Sequence, residues 1–415
     1  MGKKLLVGAM AVLTGTLVFW FSVSAEEPPG GRLPNPFGEA PAGPPAAQHA
    51  TNLGKNVNSY ASDIGPVIAP DGNHLFFTSN RKGGLGGQDV WVSLRQNGVW
   101  QPAANLGPPI NTKGDEGPDS FSLAENALYF TACDRQFGQG GCDIYVSFQQ
   151  EQGWSEPESL GPPINTKANE SNASISSDGD FIVFTSDRTG GLGGADLWLA
   201  RRGQVIRKLL PGFSTSGRWE EPVNLGPNIN TPDWDGVGFL MPDNLTLYFS
   251  SRGRGGEGAD IFQSVLGNGT WSPARNMGDI VNTARDEIYF TLPGSGDLAY
   301  FSSDMGGGLG NEDIYAISIP LLLPSTRLVI LKGKVKDESG APLCARVRVL
   351  EAGTSRLLSE TRSDAASGAF NLVFKADRIQ IEVNDDRHRS YQETVELAGS
   401  EPMATLTREI SLQPK

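Results

Sequence analysis

One short motif recurs five times along this chain, and it constrains the fold more than any other feature of the sequence. The triplet Asn-Leu-Gly, or a close variant, returns at spacings of 53, 54, 65 and 52 residues. Similarity at a period of about fifty residues is typical of repeat architectures, in which each copy packs against its neighbours. The triplets begin at Asn52, Asn105, Ser159, Asn224 and Asn276. The chain is therefore predicted to consist largely of five equivalent units, with one insertion between Arg201 and Trp219.

Each copy shows the same internal order of strands and turns. After the triplet come an Asn-Thr-like pair, a carboxylate with a short strand, a tight turn, and an aromatic strand that ends in Ser-x-Arg. A glycine loop, an Asp with an apolar-aromatic pair, a second tight turn and Trp-x-x-Pro complete most copies. Four short antiparallel strands per repeat is the pattern of a propeller blade. The predicted fold class is all-β, with a five-bladed β-propeller over residues 47–320.

Two segments, LFFTSNRKGGLGGQDVW and IVFTSDRTGGLGGADLW, resemble the WD40-like β-propeller repeat of bacterial envelope proteins, the type also found in TolB. The resemblance is met in all five copies. The fifth copy departs from it, because Met305 replaces the arginine and no Trp-x-x-Pro follows Ile317. We therefore expect a segment just before Asn52, around residues 46–51, to supply the missing outer strand and close the ring.

After Pro320 the repeat ends and longer strands begin. Apolar residues alternate from Ala345 to Val349, a pattern typical of half-buried strands. Gly333 to Leu350, together with Gly368 to Phe370, resembles the carboxypeptidase regulatory-like domain. This resemblance implies a small transthyretin-like β-sandwich over residues 327–415 that is non-catalytic in that family.

The N-terminus has the features of a secretory signal peptide. Two lysines precede an apolar run, Leu5–Phe21, and a small-residue cleavage site that ends at Ala25. Residues 1–25 are predicted to be cleaved; the alternative is a retained anchor, since the run approaches membrane-spanning length. Residues 26–46 carry seven prolines and are predicted to form an extended linker. We expect an exported protein of the periplasm or cell surface, with no stable membrane span after cleavage.

Charge and composition narrow the classes of partner and chemistry. The formal net charge of -13 argues against nucleic acid or an anionic membrane surface as partner. The chain has only 3 histidines, spread over the linker, a turn and the C-terminal region, which argues against a His-based triad or a His-rich zinc site. We predict no catalytic residue, no cofactor and no metal site.

An acidic residue follows the asparagine of each Asn-Thr-like pair by five positions. These acids open the predicted innermost strands, so they are expected to ring the mouth of the central channel and bind there: Asp63, Glu116, Glu170, Asp235 and Glu287. Five like charges would favour a cation, an ammonium or guanidinium group, or hydrogen-bonded water. Two alternatives stay open. Each acid could accept N–H groups of its own loop, or a metal could bind, although a five-fold ring is wide for one ion.

A second fixed spacing, eight residues, separates an arginine from an aspartate across each glycine loop. The predicted structural ion pairs across these hairpins are Arg81–Asp89, Arg135–Asp143, Arg188–Asp196 and Arg252–Asp260. The intervening glycines are attributed to turns that need positive φ. Cys133 and Cys142 face each other at the base of one such loop, which in an exported protein favours a disulfide and leaves Cys344 unpaired.

The long Asn-Leu-Gly loops and the glycine loops are predicted to emerge on one face of the propeller, and the tight turns on the other. We predict a non-catalytic binding or scaffold protein that engages an envelope protein or cell-wall component through the loop-rich face. A glycoside hydrolase and a lectin are the alternatives. Hydrolases need carboxylates in unlike environments, whereas these five are equivalent. A lectin could stack sugars on the repeated tryptophans, which could equally pack between blades: Trp100, Trp154, Trp219 and Trp271.

Overall fold

The computed structural model describes residues 50–69, 72–122, 125–150, 152–177, 179–202, 219–241, 243–256, 258–267, 269–279, 281–293, 298–318, 328–363, 367–397 and 403–415. The predicted signal peptide (1–25), the predicted linker (26–46) and most of the insertion (203–218) lie outside the described residues. The described residues contain strands and turns but no helix, so the all-β prediction is confirmed. Among them, no helix is long and apolar enough to cross a membrane.

Each repeat folds into one antiparallel sheet of short strands. Every innermost strand opens at or beside one of the repeated acids, and every third strand opens at or beside one of the repeated aspartates. In chain order the strands are β1 (Thr51–Asn52), β2 (Asp63–Ile68), β3 (His74–Ser79), β4 (Asp89–Gln96), β5 (Val99–Trp100), β6 (Ala104–Asn105), β7 (Asp115–Ser122), β8 (Ala127–Cys133), β9 (Cys142–Gln150), β10 (Gly153–Trp154), β11 (Glu158–Ser159), β12 (Glu170–Ile175), β13 (Phe181–Ser186), β14 (Asp196–Arg201), β15 (Val223–Asn224), β16 (Asp235–Leu240), β17 (Thr246–Ser251), β18 (Asp260–Gly267), β19 (Thr270–Trp271), β20 (Arg275–Asn276), β21 (Ile288–Thr291), β22 (Leu298–Ser303) and β23 (Asp313–Ser318).

The sheets follow one another in a cycle. The first four have the orders β2-β3-β4-β5, β7-β8-β9-β10, β12-β13-β14-β15 and β16-β17-β18-β19, with β6, β11 and β20 also paired to the third strands. In the fifth sheet Thr51 and Asn52 of β1 pair with β23, so the closure expected from residues 46–51 is confirmed at Thr51, and residues 46–49 lie outside the described residues. The innermost strands contact one another in the order β2, β7, β12, β16, β21, and β21 contacts β2. This cyclic arrangement of antiparallel sheets is a β-propeller.

An asparagine from each repeat fastens neighbouring sheets together. In the third repeat, Asn165 donates to the carbonyl of Ile144 at 2.8 Å and accepts its N–H at 2.9 Å, as an additional strand would. Asn58 makes the same two contacts with Ile314 of the fifth sheet, each at 2.9 Å. At each junction one side-chain amide satisfies both the N–H and the carbonyl of a buried residue in the preceding sheet. The junction that closes the ring is therefore made by the same contact as the internal junctions.

The core lies between successive sheets and is built from aromatic second strands. Phe77, Phe130, Phe184, Phe249 and Phe301 are all buried. The outer tryptophans pack against the preceding sheet: the ring of Trp100 meets Tyr300 edge-on at 6.0 Å, and Trp154 meets Phe76 at 6.2 Å. These rings are used for packing between sheets, which removes them as platforms for stacking a sugar.

The C-terminal residues form two further sheets. Their strands are β24 (Leu328–Asp337), β25 (Arg346–Glu351), β26 (Leu357–Arg362), β27 (Ala369–Lys375), β28 (Arg378–Asn384), β29 (Tyr391–Glu396) and β30 (Met403–Leu412). The sheets have the orders β27-β24-β30, in which β24 and β30 are parallel, and β26-β25-β28-β29. Alternate residues such as Leu331 and Val335 in one sheet and Val347 and Ile381 in the other form a single buried cluster. The two sheets therefore share one hydrophobic core.

Candidate functional site

The five repeated acids are buried and hydrogen-bonded within their own loops. None is more than 1% exposed. In the third repeat, Glu170 accepts the N–H of Thr166 at 2.7 Å, the Thr166 hydroxyl at 2.7 Å and the Ser186 hydroxyl at 2.9 Å. The other acids accept the equivalent pair of bonds from Ser59, Thr112, Thr231 and Thr283.

This burial corrects the prediction that Asp63, Glu116, Glu170, Asp235 and Glu287 form an accessible binding ring. A buried carboxylate needs partners close by, and the loop that carries each acid supplies them. Burial raises the pKa of Glu116 and of Glu287, and the hydrogen bonds from Thr112 and Thr283 oppose that rise. The acids hold their loops in shape, which was the first of the two alternatives.

The repeat arginines pair with these acids and not with the aspartates across the hairpins. Arg188 lies 3.1 Å from Glu170, donates to the carbonyl of Pro163 at 3.1 Å and also donates to the carbonyl of Ile164. Its guanidinium lies 4.9 Å from the ring centre of Phe184. The guanidinium thus meets a carboxylate, two carbonyls and an aromatic face at once, which a hairpin aspartate alone does not offer. Arg81–Asp63 and Arg135–Glu116 therefore replace the predicted pairs Arg81–Asp89 and Arg135–Asp143, as Arg188–Glu170 replaces Arg188–Asp196.

In the fourth repeat, Arg254 takes the position that the sequence pattern assigned to Arg252. Arg254 donates to the carbonyl of Ile229 at 2.9 Å, as the other repeat arginines do at the equivalent carbonyl. Arg252 instead pairs with Asp286 at 2.8 Å, so the predicted pair Arg252–Asp260 is also replaced. The segment SSRGR offers two arginines, and a fixed spacing of eight residues selected the wrong one.

The aspartates that open the third strands cap the glycine loops. Asp196 accepts the N–H of Leu192 and, at 2.9 Å, the side-chain amide of Asn224 on the outer strand. Asp143 accepts the N–H of Gln139 at 2.6 Å. Each such carboxylate therefore ties its glycine loop to its own sheet. In the second repeat Cys133 and Cys142 form a disulfide at the base of the same loop.

One glycine in each loop is needed because the next repeat approaches closely. A Cβ on Gly193 would lie 2.5 Å from the carbonyl oxygen of Thr231 and closer still to that of Asp233. This glycine does not have positive φ, so close approach, and not the predicted turn geometry, accounts for it. The equivalent contacts join each glycine loop to the following Asn-Leu-Gly loop, and the fifth to the first: Gly86 with Gly114, Gly140 with Ala168, Gly258 with Arg285 and Gly310 with Ala61.

Large apolar side chains are exposed on these interlocked loops. Tyr60 is 91% exposed and Phe137 is 86% exposed. Leu85, Leu192 and Leu309 are also exposed at the tips of their glycine loops. Because the loop backbone is held on both sides, these side chains project from a fixed surface. We call this group of five residues the apolar loop residues.

The innermost strands enclose a central channel with a cavity of about 80 Å³. Every innermost strand has a bulge, where the pairing register with the second strand shifts. In four repeats the residue two positions after the acid has positive φ: Gly65, Asn172, Val237 and Tyr289. In the second repeat that position is Pro118, whose ring forbids positive φ, and the bulge falls on Asp119. Bulges re-aim side chains, and these five positions all reach the cavity lining.

The bulge has a similar backbone in each repeat, but the side chain that it directs into the channel differs from repeat to repeat. The Thr131 hydroxyl lies 2.9 Å from both carboxylate oxygens of Asp119. Burial raises the pKa of Asp119 to about 7, against the opposing hydrogen bonds of Thr131 and of backbone N–H groups in β12. Burial, together with Glu312 and Asp119, raises the pKa of Tyr289 to about 12. The Asn172 side chain opposes this rise in the pKa of Tyr289.

The trio of Asp119, Asn172 and Tyr289 was not predicted from the sequence. These residues occupy one aligned region of the repeat in which the copies differ, whereas the repeat pattern reveals what the copies share. Among the described residues, no group of three or more His, Cys, Asp or Glu is arranged to hold a metal ion. Cys344 is a free thiol.

Asp119 should make folding stability depend on pH in a defined direction. Because its pKa is raised from 3.8 to about 7, the folded state keeps a proton that the unfolded state has released. Stability is therefore expected to fall as pH rises from about 4 to about 7, by up to about 1.4 kcal/mol per pH unit, and to level off above that range. Urea unfolding of wild type and Asp119→Asn across this range should show the decline reduced in the variant. Parallel curves would contradict this assignment, since the other buried acids remain in both proteins.

Comparisons with known proteins found likenesses to solved structures at low sequence identity. No protein-family model and no curated protein matches the chain. TolB from Acinetobacter baumannii is 15% identical over 63% of this chain and 56% of that chain, with a TM-score of 0.40. An alpha-L-arabinofuranosidase from Lactobacillus brevis is 11% identical over 65% and 92%, with a TM-score of 0.42. A chlorocatechol 1,2-dioxygenase from Pseudomonas putida is 8% identical over 22% and 62%, with a TM-score of 0.19. The propeller class rests on the strand order of the chain itself.

Proposed function

We propose that this chain is an exported, non-catalytic binding protein that engages a protein partner of the cell envelope through the loop-rich face of a five-bladed propeller. The observation that carries the proposal is the set of apolar loop residues on a fixed backbone. Aromatic and aliphatic side chains that are already held in place lose little entropy on binding and serve as anchors of protein interfaces. Tyr60 and Phe137 are the two most exposed large apolar side chains among the described residues.

A contact between loops brings two of these anchors, Leu309 and Tyr60, near each other. Gly310, beside Leu309, packs on the backbone of Ser59 and Ala61, on either side of Tyr60. Leu309 of the fifth repeat and Tyr60 of the first therefore belong to one region of the face. Exposed apolar groups gathered in this way mark an interaction site more often than scattered ones do.

The burial of the repeated acids and of most repeated tryptophans favours a protein-binding function over a glycoside hydrolase or a lectin. A glycoside hydrolase would need an accessible acid and base in unlike environments, and the five repeated acids are buried in equivalent ones. A lectin that used the repeated tryptophans would need exposed rings, and Trp100, Trp219 and Trp271 are buried. The repeated acids and these tryptophans stabilise the fold, and the exposed loop tips are the surface that we propose for binding.

The domain plan of this proposal follows the sequence pattern. Residues 1–25 form a signal peptide, 26–46 a linker, 47–320 the propeller and 327–415 a transthyretin-like sandwich of the carboxypeptidase regulatory-like type. Five cyclic sheets support the blade count, and two sheets around one core support the sandwich. The location is the periplasm or the cell surface, and the partner belongs to the envelope.

The proposal is tested by substitutions on the two faces. A triple variant, Tyr60→Ser/Phe137→Ser/Leu192→Ser, should lower recovery of a specific envelope partner by at least about tenfold, because each lost anchor is worth about 1 kcal/mol or more. The matched control removes three exposed apolar residues near the tight turns: Val99→Ser/Leu245→Ser/Val265→Ser. Crosslinking in envelope extract and mass spectrometry identify the partner, and titration with the purified partner measures the effect. Equal loss in both variants, or loss only in the control, would overturn the choice of face.

A further inference from the structure

We propose that the central channel is a binding site for a small primary ammonium group, held by Asp119, Asn172 and Tyr289. This site is separate from the loop-tip surface proposed above. In the part of the chain that the structure describes, its lining contains one carboxylate and no basic side chain, which is the chemistry expected of a cation site. Asp119 is the only acidic residue among the described residues that line the cavity, and no lysine, arginine or histidine lines it.

A lone carboxylate inside a protein requires either a proton or a positively charged partner. The five repeated acids already have internal donors, and three of them have a paired arginine. Asp119 has the Thr131 hydroxyl and backbone N–H groups, which are neutral donors. Below its pKa of about 7 a proton neutralises the carboxyl, and above that pH its charge is left for a ligand to neutralise.

Two further acceptors accompany the carboxylate. Asn172 and Tyr289 line the same cavity, and the Asn172 amide oxygen also accepts the Ser171 hydroxyl at 2.9 Å. All three side chains keep some accessible surface, which faces the narrow lumen. An ammonium group has three N–H donors, so a carboxylate, an amide oxygen and a phenol oxygen match its hydrogen-bonding capacity. The aromatic face of Tyr289 adds a second attraction for a cation.

The rest of the lining sets the shape of the ligand. Toward the tight-turn end the channel is lined by the apolar side chains of Ile68, Phe121, Leu240 and Leu292 and by three serines, Ser122, Ser176 and Ser177. A cavity of about 80 Å³ has room for roughly five to eight water-sized groups. These dimensions fit an ammonium group on an alkyl chain of about four carbons. The same chemistry is presented by a free alkylamine and by a lysine side chain.

Binding should depend on pH through Asp119. Tyr289 faces it across the channel and keeps its proton below about pH 12, whereas Glu312, next to Tyr289, has a pKa raised by burial. Alkylammonium groups stay protonated below about pH 10. With Asp119 half-protonated near pH 7, affinity for the cation is expected to be about a hundredfold weaker at pH 5 than at pH 8. A Glu312→Gln variant should keep this dependence, and Asp119→Asn should lose it.

The experiment is a calorimetric titration of the full chain with n-butylamine at pH 8 and at pH 5. We expect saturable binding in the millimolar range or tighter at pH 8, and at least about tenfold weaker binding to Asp119→Asn. n-Butanol, which has the same chain without the charge, should not bind. Nα-acetyl-lysine amide distinguishes the sources: binding of both amines indicates that a lysine side chain can enter, and binding of n-butylamine alone indicates a free amine.

Three results would overturn the ammonium site. They are equal affinity of n-butylamine for wild type and Asp119→Asn, equal affinity of wild type for n-butanol, and no saturation up to about 50 mM at pH 8. A single cooperative unfolding transition of Asp119→Asn at pH 8, with the same dependence on urea concentration as wild type, establishes that a loss of binding does not reflect misfolding. The loop-face proposal is unaffected by each of these outcomes.

Discussion

Replacing Arg188 by alanine is expected to lower the free energy of unfolding by about 3–5 kcal/mol, because the change leaves the buried Glu170 carboxylate without its positive partner. The same change leaves the carbonyls of Pro163 and Ile164 without a donor. Burial lowers the pKa of Arg188, and Glu170 opposes that shift, so the arginine charge is stabilised by its acid partner. Urea unfolding at neutral pH measures the loss.

A double-mutant cycle separates the charge effect from the loss of packing. Adding Glu170→Gln to Arg188→Ala removes the orphaned charge, and the two changes should show a coupling of about 1–3 kcal/mol. Arg201→Ala is the matched control: Arg201 is exposed, 5.8 Å from the ring of Phe181, and its loss should cost less than about 1 kcal/mol. Strict additivity of Arg188→Ala and Glu170→Gln would mean that the pair carries no interaction energy.

Replacing Gly193 by alanine is expected to cost about 3 kcal/mol, because the new methyl group would overlap the backbone of the next repeat. Backbone carbonyls at Thr231 and Asp233 cannot rotate away as a side chain can. The neighbouring residue provides a close control. Nothing lies within 4 Å of a Cβ on Gly194, and that residue does not have positive φ. Gly194→Ala should be neutral or stabilising by a few tenths of a kcal/mol.

Thermal and urea unfolding of the two alanine variants measure this difference. Similar stabilities for Gly193→Ala and Gly194→Ala would show that the glycine loop can move away from the following repeat. That result would also weaken the functional proposal, since the apolar loop residues are argued to project from a fixed backbone. Stability of the loops and presentation of the binding surface thus depend on the same glycine contacts.

The repeat, the strand order and the closing strand could all be predicted from the residues. A copied pattern of turn residues and alternating apolar residues specifies local backbone structure, and five copies leave few ways to bury their faces. The closure at Asn52 followed from a missing outer strand in the fifth copy. The facing cysteines indicated their disulfide for the same reason, since a hairpin brings its ends together.

Partner choice among charged groups could not be predicted in this way. Spacing along the chain placed Arg188 opposite Asp196, but Glu170 and Asp196 both pair with Ser186 from the strands on either side, and the guanidinium pairs with Glu170. Both carboxylates are buried, so burial does not distinguish them. The carbonyls of Pro163 and Ile164 accept from the same guanidinium and favour its position beside Glu170.

What the sequence alone determined is the class of the fold and the equivalence of its repeats, because both follow from local backbone preferences copied along the chain. Only the tertiary structure decided which differences between the copies meet in the central channel. Asp119, Asn172 and Tyr289 are far apart in sequence and meet only because the sheets close into a ring and a bulge turns each residue toward the axis. The same closure buries the repeated acids. Convergence on an axis is a property of the assembled ring, and no single repeat contains it.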